Sequence, residues 1–381
     1  MSVTKTEKLL CELIALPSVN PAFLPPNDSH AGEQRVAEFL AASARRAGLE
    51  IELQPVLPAR SNLLIWFRPQ GKVDRRLLLA PHLDTVSGAE LPGAFFSPAI
   101  SNGRLFGRGA CDTKGSVAAM FTALCLLAES TQRPARTEIV LACLVDEESG
   151  QAGSRALAAS GFRADLAIVG EPTKTKIVTA HKGALWLRLT TRGKAAHGAR
   201  PELGRNAIHA MARVVDLLET RYAAALRRRR AHPLLGHASI NVGAILGGKQ
   251  PNIVPDECAI QIDRRTLPGE NDSQVVREIN TLLRQNRLSA QITSLQNAPC
   301  GPMETSLQSP LLPEFFRSAR QKRPVGVDYF SDAGVLSAAG IPSVLFGPGD
   351  IAQAHTPDEW IGLEQLERGK EMLLRFFKTL Q

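Results

Sequence analysis

The sequence predicts an α/β fold in which a mostly parallel sheet is covered by helices, with a smaller α+β domain inserted into it. The length of 381 residues exceeds what a single core usually needs, which favours two domains. Strand-like and helix-like runs alternate over residues 1–180, a pattern typical of parallel sheets. The alternation stops near His181 and returns after about Pro299. We therefore expect residues 1–180 and 297–381 to form one domain, into which 181–296 is inserted.

The elements of the first domain follow from short apolar runs. An amphipathic first helix is expected to stop before Pro17. Buried strands are expected at 63–67, 77–81, 138–145 and 166–169, with helices at 33–47 and 116–129. In sheets of this kind, ligands collect at the carboxyl ends of the strands. The residues that follow each strand are therefore the first candidates for a site.

The inserted part has a different pattern. Strands are expected at 184–191, 239–246 and 258–265, and helices at 206–226 and 272–284. Strand 184–191 has the pattern of an exposed strand, and helix 206–226 places four apolar residues on one face: Ile208, Met211, Val215 and Leu218. This order indicates a small domain with an antiparallel sheet. A strand at 343–347 and a helix at 363–380 then complete the first domain.

Composition narrows the functional classes. Hydrophobic residues make up 44% and charged residues 22%, as in globular proteins. No apolar run reaches the roughly 18–20 residues that span a bilayer, and the acidic Glu7 and Glu12 argue against a signal peptide. The net charge of +8 comes without a helix-turn-helix or RNA-binding signature. We therefore expect neither nucleic acid nor a membrane as partner.

Six cysteines without a CxxC pair are typical of a reducing compartment. They predict a cytoplasmic protein without a cysteine zinc site.

A histidine and an aspartate follow the predicted strand 77–81. His82 stands at the end of the strand, and Asp84 can lie on the same side and accept the second ring N–H. That is the carboxylate–histidine–zinc arrangement. Taken alone, this pattern more often marks a polar strand end than a metal ligand.

Other predicted strand ends carry further ligand types. Residues 146–148 are Asp-Glu-Glu, where adjacent charges repel each other and a bound cation gives relief; a solvated acidic turn is the equal alternative. Glu171 follows another apolar run, and His355 begins His-Thr-Pro-Asp-Glu. Asp112 lies in a glycine-rich run, 107–115, that lacks the third glycine of a dinucleotide loop. Nitrogen and oxygen donors without thiolate predict zinc, with cobalt or manganese as alternatives.

In this order, and over nearly the whole chain, these motifs resemble a family of dinuclear zinc hydrolases. It comprises aminoacylase, acetylornithine deacetylase, succinyl-diaminopimelate desuccinylase and glutamate carboxypeptidase. The resemblance implies a zinc-exopeptidase-like sheet and a ferredoxin-like inserted domain for lid and dimerisation functions. It implies two Zn²⁺ ions, with His82 on one and His355 on the other. Asp112 would bridge them, Glu148 and Glu171 would complete the two shells, and a cis peptide bond would follow Asp112.

The resemblance also implies catalytic roles. Asp84 would orient His82. Glu147 would be the general base that takes a proton from a water held between the two metals and delivers it to the leaving nitrogen. His197, within Gly-Lys-Ala-Ala-His-Gly, would stabilise the oxyanion in the active site of the partner subunit.

Two further segments of the inserted domain would bind the substrate. Asn252 lies in the run 247–255, which resembles a family loop at the substrate. Arg265 matches the arginine that grips the substrate carboxylate, for which a planar guanidinium is suited. Arg264 is the alternative, because adjacent strand residues face opposite ways.

We therefore expect metal-dependent hydrolysis of the amide bond of a small N-acyl-L-amino acid or peptide-like molecule that carries a carboxylate. An acetylornithine deacetylase-like activity ranks first. A succinyl-diaminopimelate desuccinylase-like and a glutamate carboxypeptidase- or dipeptidase-like activity are the alternatives. Residues 328–333 lack the Thr-Ser-Asp-Gly stretch associated with desuccinylases.

A non-catalytic binding protein of the same fold would be expected to lose Glu147 or a ligand, and none is missing. The working unit is expected to be a homodimer formed through the inserted domain. Strand 184–191 and the apolar face of helix 206–226 are the surfaces predicted to form it.

Overall fold

The chain divides into two compact units. The computed structural model describes residues 3–87, 94–130 and 133–380. The first unit comprises Met1–Thr179, Glu304–Val325 and Ser331–Gln381, and the second comprises Ala180–Met303 and Gly326–Phe330. The predicted insertion 181–296 thus falls within the second unit, which extends to Met303 and takes up 326–330 as well.

Helices of both units are numbered in chain order over the described residues. They are α1 (Lys5–Ile14), α2 (Gln34–Arg46), α3 (Lys114–Glu129), α4 (Ala152–Ala159), α5 (Ala207–Asp216), α6 (Ala223–Arg228), α7 (Asp272–Gln285), α8 (Leu312–Ala319), α9 (Asp332–Ala338) and α10 (Leu363–Phe377). A π-helical segment, Leu217–Tyr222, joins α5 to α6. Short 3₁₀ turns lie at Pro21–Phe23, Ala94–Phe96, Pro201–Leu203 and Ile351–Gln353.

Strands are numbered in the same way. They are β1 (Glu50–Leu57), β2 (Arg60–Phe67), β3 (Arg75–Ala80), β4 (Ala99–Ser101), β5 (Arg104–Phe106), β6 (Thr137–Cys143), β7 (Leu166–Val169), β8 (Val178–His181), β9 (Gly183–Arg192), β10 (Ser239–Gly247), β11 (Glu257–Thr266), β12 (Gln291–Ser294), β13 (Met303–Glu304), β14 (Val325–Val327), β15 (Ser343–Leu345) and β16 (Trp360–Gly362).

The first unit is built on a sheet that runs β1-β2-β6-β3-β7-β15. Neighbouring pairs from β6 to β15 are parallel, and β1 and β2 are antiparallel additions. The central strands β6 and β7 are buried along their whole length, as expected for strands covered on both faces. This confirms the predicted mostly parallel sheet covered by helices.

The two faces of this sheet pack against different helices. Leu77, Leu79, Ile139 and Leu141 belong to the core cluster formed with α1, α2, α3, α8 and α10. The alternate residues point to the other face, where α4 and α9 contact the sheet. Both faces are covered, so polar residues can gather at the rim formed by the carboxyl ends of β3, β6 and β7.

The second unit has the ferredoxin-like arrangement that the family resemblance implies. Its antiparallel sheet runs β10-β11-β9-β12. The chain order is strand, helix, two strands, helix, strand, and apolar residues of α5, α6 and α7 share one core with the sheet. Asn271 caps α7, because its side chain accepts the backbone N–H of Gln274 while the Gln274 side chain accepts the N–H of Asn271.

Two expectations for the second unit were wrong. The strand expected to be exposed, β9, lies between β11 and β12 and is buried along most of its length. The helix expected at 206–226 is present as α5, the π-helical segment and α6, but Met211 and Leu218 of the face expected to form a dimer contact are fully buried in the unit's own core. Ile208 and Val215 pack against the same core. An apolar periodicity marks a face that must be covered, but it does not say by what.

Candidate metal centre

Three neighbouring parallel strands bring ligand-type residues to one rim. His82 follows β3, Glu147 and Glu148 follow β6, and Glu171 follows β7. Because β6, β3 and β7 are adjacent and parallel, their carboxyl ends share one edge of the sheet. Residues from distant parts of the sequence therefore converge.

Asp112 enters the rim from the loop between β5 and α3. It precedes Thr113, the N-cap of α3, and the peptide bond between Asp112 and Thr113 is cis, as the resemblance implies. Asp112 is buried, with one oxygen towards each of two histidines. Its Oδ1 lies 3.1 Å from His82 Nε2, and its Oδ2 lies 3.3 Å from His355 Nε2. The Asp112 carboxylate thus lies between the two imidazole rings.

His355 completes the cluster from the segment before β16. Its Nε2 also lies 3.1 Å from Glu148 Oε2, and its side chain is half-exposed whereas that of Glu148 is buried. Ligand atoms of His82, Asp112 and Glu148 all lie within 4.8 Å of one another. Five predicted metal ligands therefore gather at one rim of the first unit: His82, Asp112, Glu148, Glu171 and His355.

Two oxygen atoms at this rim favour a cation there. Glu148 Oε1 and Glu171 Oε1 are buried, and within the described part of the chain neither has a hydrogen-bond partner. A buried carboxylate oxygen without a partner is costly unless a cation or donor compensates it. Imidazole and carboxylate donors without thiolate suit divalent zinc, cobalt or manganese, so the residues fit the predicted metal pair.

The ionisation of the cluster reflects crowding of like charges. Burial raises the pKa of Glu148 to about 7, and the Asp112 charge adds to that effect. Burial also raises the pKa of Glu147 and of Glu171 well above the usual range, although His82 opposes the shift. Such shifts in a cleft of carboxylates are typical of functional sites.

The two histidines shift in the direction that favours charge. Hydrogen bonds to Asp112 and Glu148 raise the pKa of His355 to about 10. Burial alone would lower the pKa of His82, but hydrogen bonds to Asp112 and Asp84 raise it well above the usual value. In the metal-free protein, protons on the imidazoles thus balance charge that metal ions would otherwise balance.

Asp84 lies behind the rim and is fully buried. Its Oδ1 accepts the backbone N–H of Glu147 at 3.0 Å, and its Oδ2 accepts the backbone N–H of Glu148 at 3.0 Å. His82 Nδ1 lies 2.9 Å from the main-chain carbonyl of Asp84 and 3.5 Å from Oδ1. The carbonyl is thus the nearer partner of the ring, and the carboxylate holds the turn that carries Glu147 and Glu148.

Two further residues, Asn20 and Arg60, lie behind the rim with Asp84 and belong to no motif in the sequence. Asn20 Nδ2 donates to Asp84 Oδ2 at 2.7 Å and to Asp146 Oδ1 at 3.0 Å. Arg60 pairs with Asp146 at 3.1 Å and with Glu33 at 2.5 Å. Their partners are distant in sequence, so no local pattern marks them.

Two buried carboxylates beside the predicted ligands were also missed as site residues. Burial raises the pKa of Asp332 to about 6, and Ser154 Oγ donates to it at 2.5 Å. Glu359 ends the His-Thr-Pro-Asp-Glu run and accepts bonds from the loop that carries Asp112. The motifs 328–333 and 355–359 contained these residues but suggested no role for them.

The remaining predicted site residues lie in the second unit. His197 and Asn252 are both exposed, and the segments that carry them lie side by side. His197 forms an isolated β-bridge with Ile253, and the Gly198 N–H donates to the Asn252 carbonyl at 2.7 Å. His197 Nδ1 accepts the Ala199 N–H at 3.1 Å. The neutral ring therefore carries its proton on Nε2, as a donor.

The two adjacent arginines of β11 are in different environments. Arg264 is fully buried and bound to Glu270 at 2.8 Å and to the Tyr222 hydroxyl at 3.3 Å. Arg265 is partly exposed, pairs with Asp263 at 3.0 Å and lies near the Phe330 ring. Of the two, Arg265 is the one whose guanidinium solvent can reach.

Comparison with known proteins gives the class to which this fold and rim belong. The model of Peptidase family M20/M25/M40 matches residues 78–379. An acetylornithine deacetylase of Myxococcus xanthus is 32% identical over 349 residues, which cover 89% of this chain and 90% of the relative. An acetylornithine deacetylase of Edwardsiella ictaluri is 30% identical over 370 residues, or 92% and 91% of the two chains.

Solved structures share the fold at lower identity. Aminopeptidase PepT of Bacillus cereus has a TM-score of 0.79 at 23% identity and covers 100% of this chain and 99% of its own. The M20 family metallo-carboxypeptidase Sso-CP2 of Sulfolobus solfataricus has a TM-score of 0.77 at 19% identity and covers 98% and 99%.

The protein is thus a metal-dependent amidohydrolase. The chain belongs to the M20/M25/M40 peptidase family. Among the helices that the structure describes, none combines the length and the apolar character needed to cross a bilayer.

Proposed function

We propose that this protein removes the acyl group from an N-acyl-L-amino acid, in the manner of an acetylornithine deacetylase. The observation that carries the proposal is the Asp112 carboxylate between His82 and His355, in a chain 32% identical to an acetylornithine deacetylase over 89% of its length. The aminopeptidase and the metallo-carboxypeptidase named above share the fold at 23% and 19% identity. A glutamate carboxypeptidase- or dipeptidase-like activity is therefore the second candidate, and a succinyl-diaminopimelate desuccinylase-like activity remains the other alternative from the sequence.

The proposed cofactors are two Zn²⁺ ions. His82, Asp112 and one glutamate would hold one ion, and His355, Asp112 and the other glutamate would hold the second. When bound, such ions supply positive charge that polarises a scissile carbonyl and acidifies a water molecule. Glu148 and Glu171 are the two glutamates, each with a buried oxygen that lacks a partner in the described chain.

Glu147 is the proposed general base. It shares the turn after β6 with Glu148, and its backbone N–H is fixed by Asp84. Its raised pKa, caused mainly by burial, suits a group that must both take and return a proton. Glu147 would take a proton from the attacking water and then deliver it to the leaving amine.

The second unit is proposed to supply substrate contacts. Arg265 would bind the substrate carboxylate through its partly exposed guanidinium, and Asn252 would contact the substrate from its exposed loop. His197 would donate from Nε2 to the oxyanion, since its Nδ1 is already an acceptor.

We further propose a homodimer in which His197 serves the partner's metal centre. The edge strand β10 replaces β9 as the proposed contact surface, because β10 ends the sheet order of the second unit. Its Ile245 and Leu246 are 55% and 65% exposed. An open edge with large apolar side chains favours pairing with a second copy. Free thiols are found at Cys11, Cys111, Cys125, Cys143 and Cys258, which fits the proposed cytoplasmic location.

A substrate panel tests the activity. Protein loaded with Zn²⁺, Co²⁺ or Mn²⁺ is assayed on N-acetyl-, N-succinyl- and peptide-linked amino acids, before and after chelation. We expect N-acetyl amino acids to give the highest kcat/KM, with activity lost on chelation and regained with metal. Glu147→Gln should keep its metal content while kcat falls by about 10²–10⁴. Turnover by the metal-free protein, or by Glu147→Gln at the wild-type rate, would refute the mechanism.

Subunit mixing tests the dimer. Inactive His197→Ala chains are exchanged with inactive Glu147→Gln chains, and exchange is verified with differently tagged subunits. If His197 acts across the dimer, each mixed dimer has one complete site and activity returns. No recovery despite verified exchange would show that His197 acts within its own chain or has no part in catalysis.

A further inference from the structure

The carboxylate of Glu359 is enclosed by donors from a single loop of the first unit. Oε1 accepts the backbone N–H of Cys111 at 2.8 Å and of Asp112 at 2.9 Å. Oε2 accepts the backbone N–H of Gly109 at 3.0 Å and the Arg108 guanidinium at 2.8 Å. The Glu359 side chain is only 1% exposed. These bonds are charge-assisted and shielded from water, which makes them strong.

The loop depends on this carboxylate for its backbone partners. It leaves β5 at Phe106 and reaches α3 at Lys114 without regular strand structure. Buried backbone N–H groups need an acceptor, and one side chain serves three of them here. The main chain of Glu359 also bonds to the loop, because its carbonyl accepts the Gly107 N–H at 3.0 Å. Loop 107–112 is thus attached to the start of β16, which pairs with β5.

Gly109 makes the close approach possible. Its φ is +80°, and a Cβ there would lie 2.9 Å from Lys114 Cδ and 3.0 Å from Thr85 Cγ2. At Gly109 the loop is therefore closely packed against the Lys114 and Thr85 side chains. Because the Asp112 N–H donates to the Glu359 carboxylate, a displacement of this carboxylate would move Asp112 as well.

Glu359 also lies four residues after His355, and both belong to the segment before β16. One residue therefore connects two proposed metal ligands that are distant from each other in the sequence. Asp112 is bonded to it directly, and His355 shares its short backbone segment.

We propose that Glu359 is a positioning residue that sets Asp112 and His355 at the separation required by the metal pair. The proposal rests on the metal centre proposed above. Residues behind metal ligands typically change metal affinity or activity about 10–100-fold when they are replaced. A residue that only supports the fold would lower stability without changing the ligand geometry of the protein that still folds.

The test is the Glu359→Gln variant, which keeps the side-chain size but places an NH₂ group against two of the donors. Metal-free protein is titrated with Co²⁺, whose absorption spectrum reports ligand geometry, in the presence of a competing chelator. We expect metal affinity to fall about 10–100-fold, a changed Co²⁺ spectrum, and a lower kcat with little change in KM at saturating metal. Asp358→Asn is the matched control, since this neighbour is exposed and loses the same charge. It should behave as wild type.

Arg108→Gln provides a milder second variant. It removes one donor to Glu359 Oε2 and leaves the backbone donors in place, so the loss of affinity should be smaller but in the same direction. This variant keeps the proposal testable if Glu359→Gln does not fold.

Each outcome bears on one hypothesis. If wild-type protein binds metal and both variants bind it with unchanged affinity and spectrum, the positioning role is overturned and the metal centre stands. If a variant is only less stable while its folded fraction binds as wild type, Glu359 is merely structural and the positioning role is also overturned. If wild-type protein itself binds no metal, the proposed function fails.

Discussion

At the residue scale, buried carboxylates of the first unit have two uses. Some are proposed metal ligands, and others accept hydrogen bonds from backbone N–H groups. Asp84 accepts the N–H groups of two consecutive glutamates, and Asn20 donates to its Oδ2. Burial alone would raise the pKa of Asp84, but the hydrogen bond and charge of His82 lower it, and the Asn20 amide and the Glu148 N–H add to that lowering. An ionised Asp84 can accept hydrogen bonds from both backbone N–H groups at once. The carboxylate therefore fixes the backbone position from which the Glu147 side chain extends.

Replacing Asp84 should therefore affect chemistry through Glu147. In Asp84→Asn one oxygen becomes a donor that faces a backbone N–H, so the turn must shift. We expect kcat to fall about 10–100-fold with a smaller effect on KM, measured with the best substrate at saturating metal. Asp216→Asn, at an exposed position in the second unit, is the control. A wild-type kcat in Asp84→Asn would contradict this role.

The adjacent arginines of β11 allow a paired prediction. Arg264→Gln breaks buried bonds to Glu270 and Tyr222, so it should lower the free energy of unfolding by about 1.5–3 kcal/mol and leave KM nearly unchanged. Arg265→Gln should leave stability nearly unchanged and raise KM for substrates with a carboxylate. Urea unfolding and initial rates measure the two effects. The opposite assignment of effects would identify Arg264 as the substrate residue.

At the element scale, α4 is attached to the end of β6 just before the proposed base. Gly153 N–H donates to the Val145 carbonyl at 3.0 Å, and Asn62 bonds both the Gly153 carbonyl and the Val145 N–H. A Cβ on Gly153 would lie 2.5 Å from the Val145 carbonyl oxygen and 2.6 Å from Asn62 Oδ1. The helix can approach the strand end this closely only with glycine at that position.

A methyl group at Gly153 should therefore separate α4 from β6. Overpacking of this kind costs about 1–3 kcal/mol, so Gly153→Ala should lower the free energy of unfolding by about that amount. It should also reduce kcat, because the turn with Glu147 follows directly. Gly301→Ala is the control, since a Cβ there meets nothing within 4 Å. Equal stability of the two variants in denaturant unfolding would show that α4 moves without cost.

At the scale of the whole molecule, the metal centre couples protonation to stability. In metal-free protein the pKa of Glu148 is raised to about 7 by burial, and that of His355 to about 10 by Asp112 and Glu148. Both groups bind protons more tightly in the folded than in the unfolded state. Their contribution is full below the unfolded pKa values and is lost as the pH rises through the folded ones.

Metal-free protein should therefore become less stable as the pH rises from about 5 to 9. Lys114 opposes the trend, since burial lowers its pKa to about 7 and it contributes stability as the pH rises. Comparison with His355→Asn isolates the histidine: wild type should lose more stability between pH 6.5 and 9 than the variant does. Urea unfolding of chelated protein measures this difference. Equal losses would mean that His355 carries no raised pKa.

Metal binding should show the reverse dependence. The metals must displace protons from His82, His355 and Glu148, so affinity should rise with pH over the same range. Chelator competition at several pH values, run beside the stability measurements, checks this expectation.

Much of the architecture was determined by the sequence alone. Leu166–Val169 was predicted with the observed bounds, and the other predicted strands and helices of the first unit lie within a few residues of those observed. Apolar periodicity is a local property, and strand ends in a parallel sheet converge by geometry. The placement of His82, Glu148 and Glu171 at the ends of neighbouring strands was therefore predictable, whereas Asp112, His355 and the ferredoxin-like order of the second unit were implied by the family resemblance.

Only the tertiary structure decided which strands neighbour each other and which hydrogen-bond partners position these residues. The sheet order placed β9 inside the second sheet, where a strand pattern alone suggested exposure. Glu359 meets Arg108 from 251 residues away, and Asp84 meets the amide of Glu147 from 63 residues away. A carboxylate selects its donors by distance and direction in space, and neither is encoded in the local pattern around it. The sequence therefore predicted which residue types serve as ligands, whereas the hydrogen bonds that position these residues were decided by the folded chain.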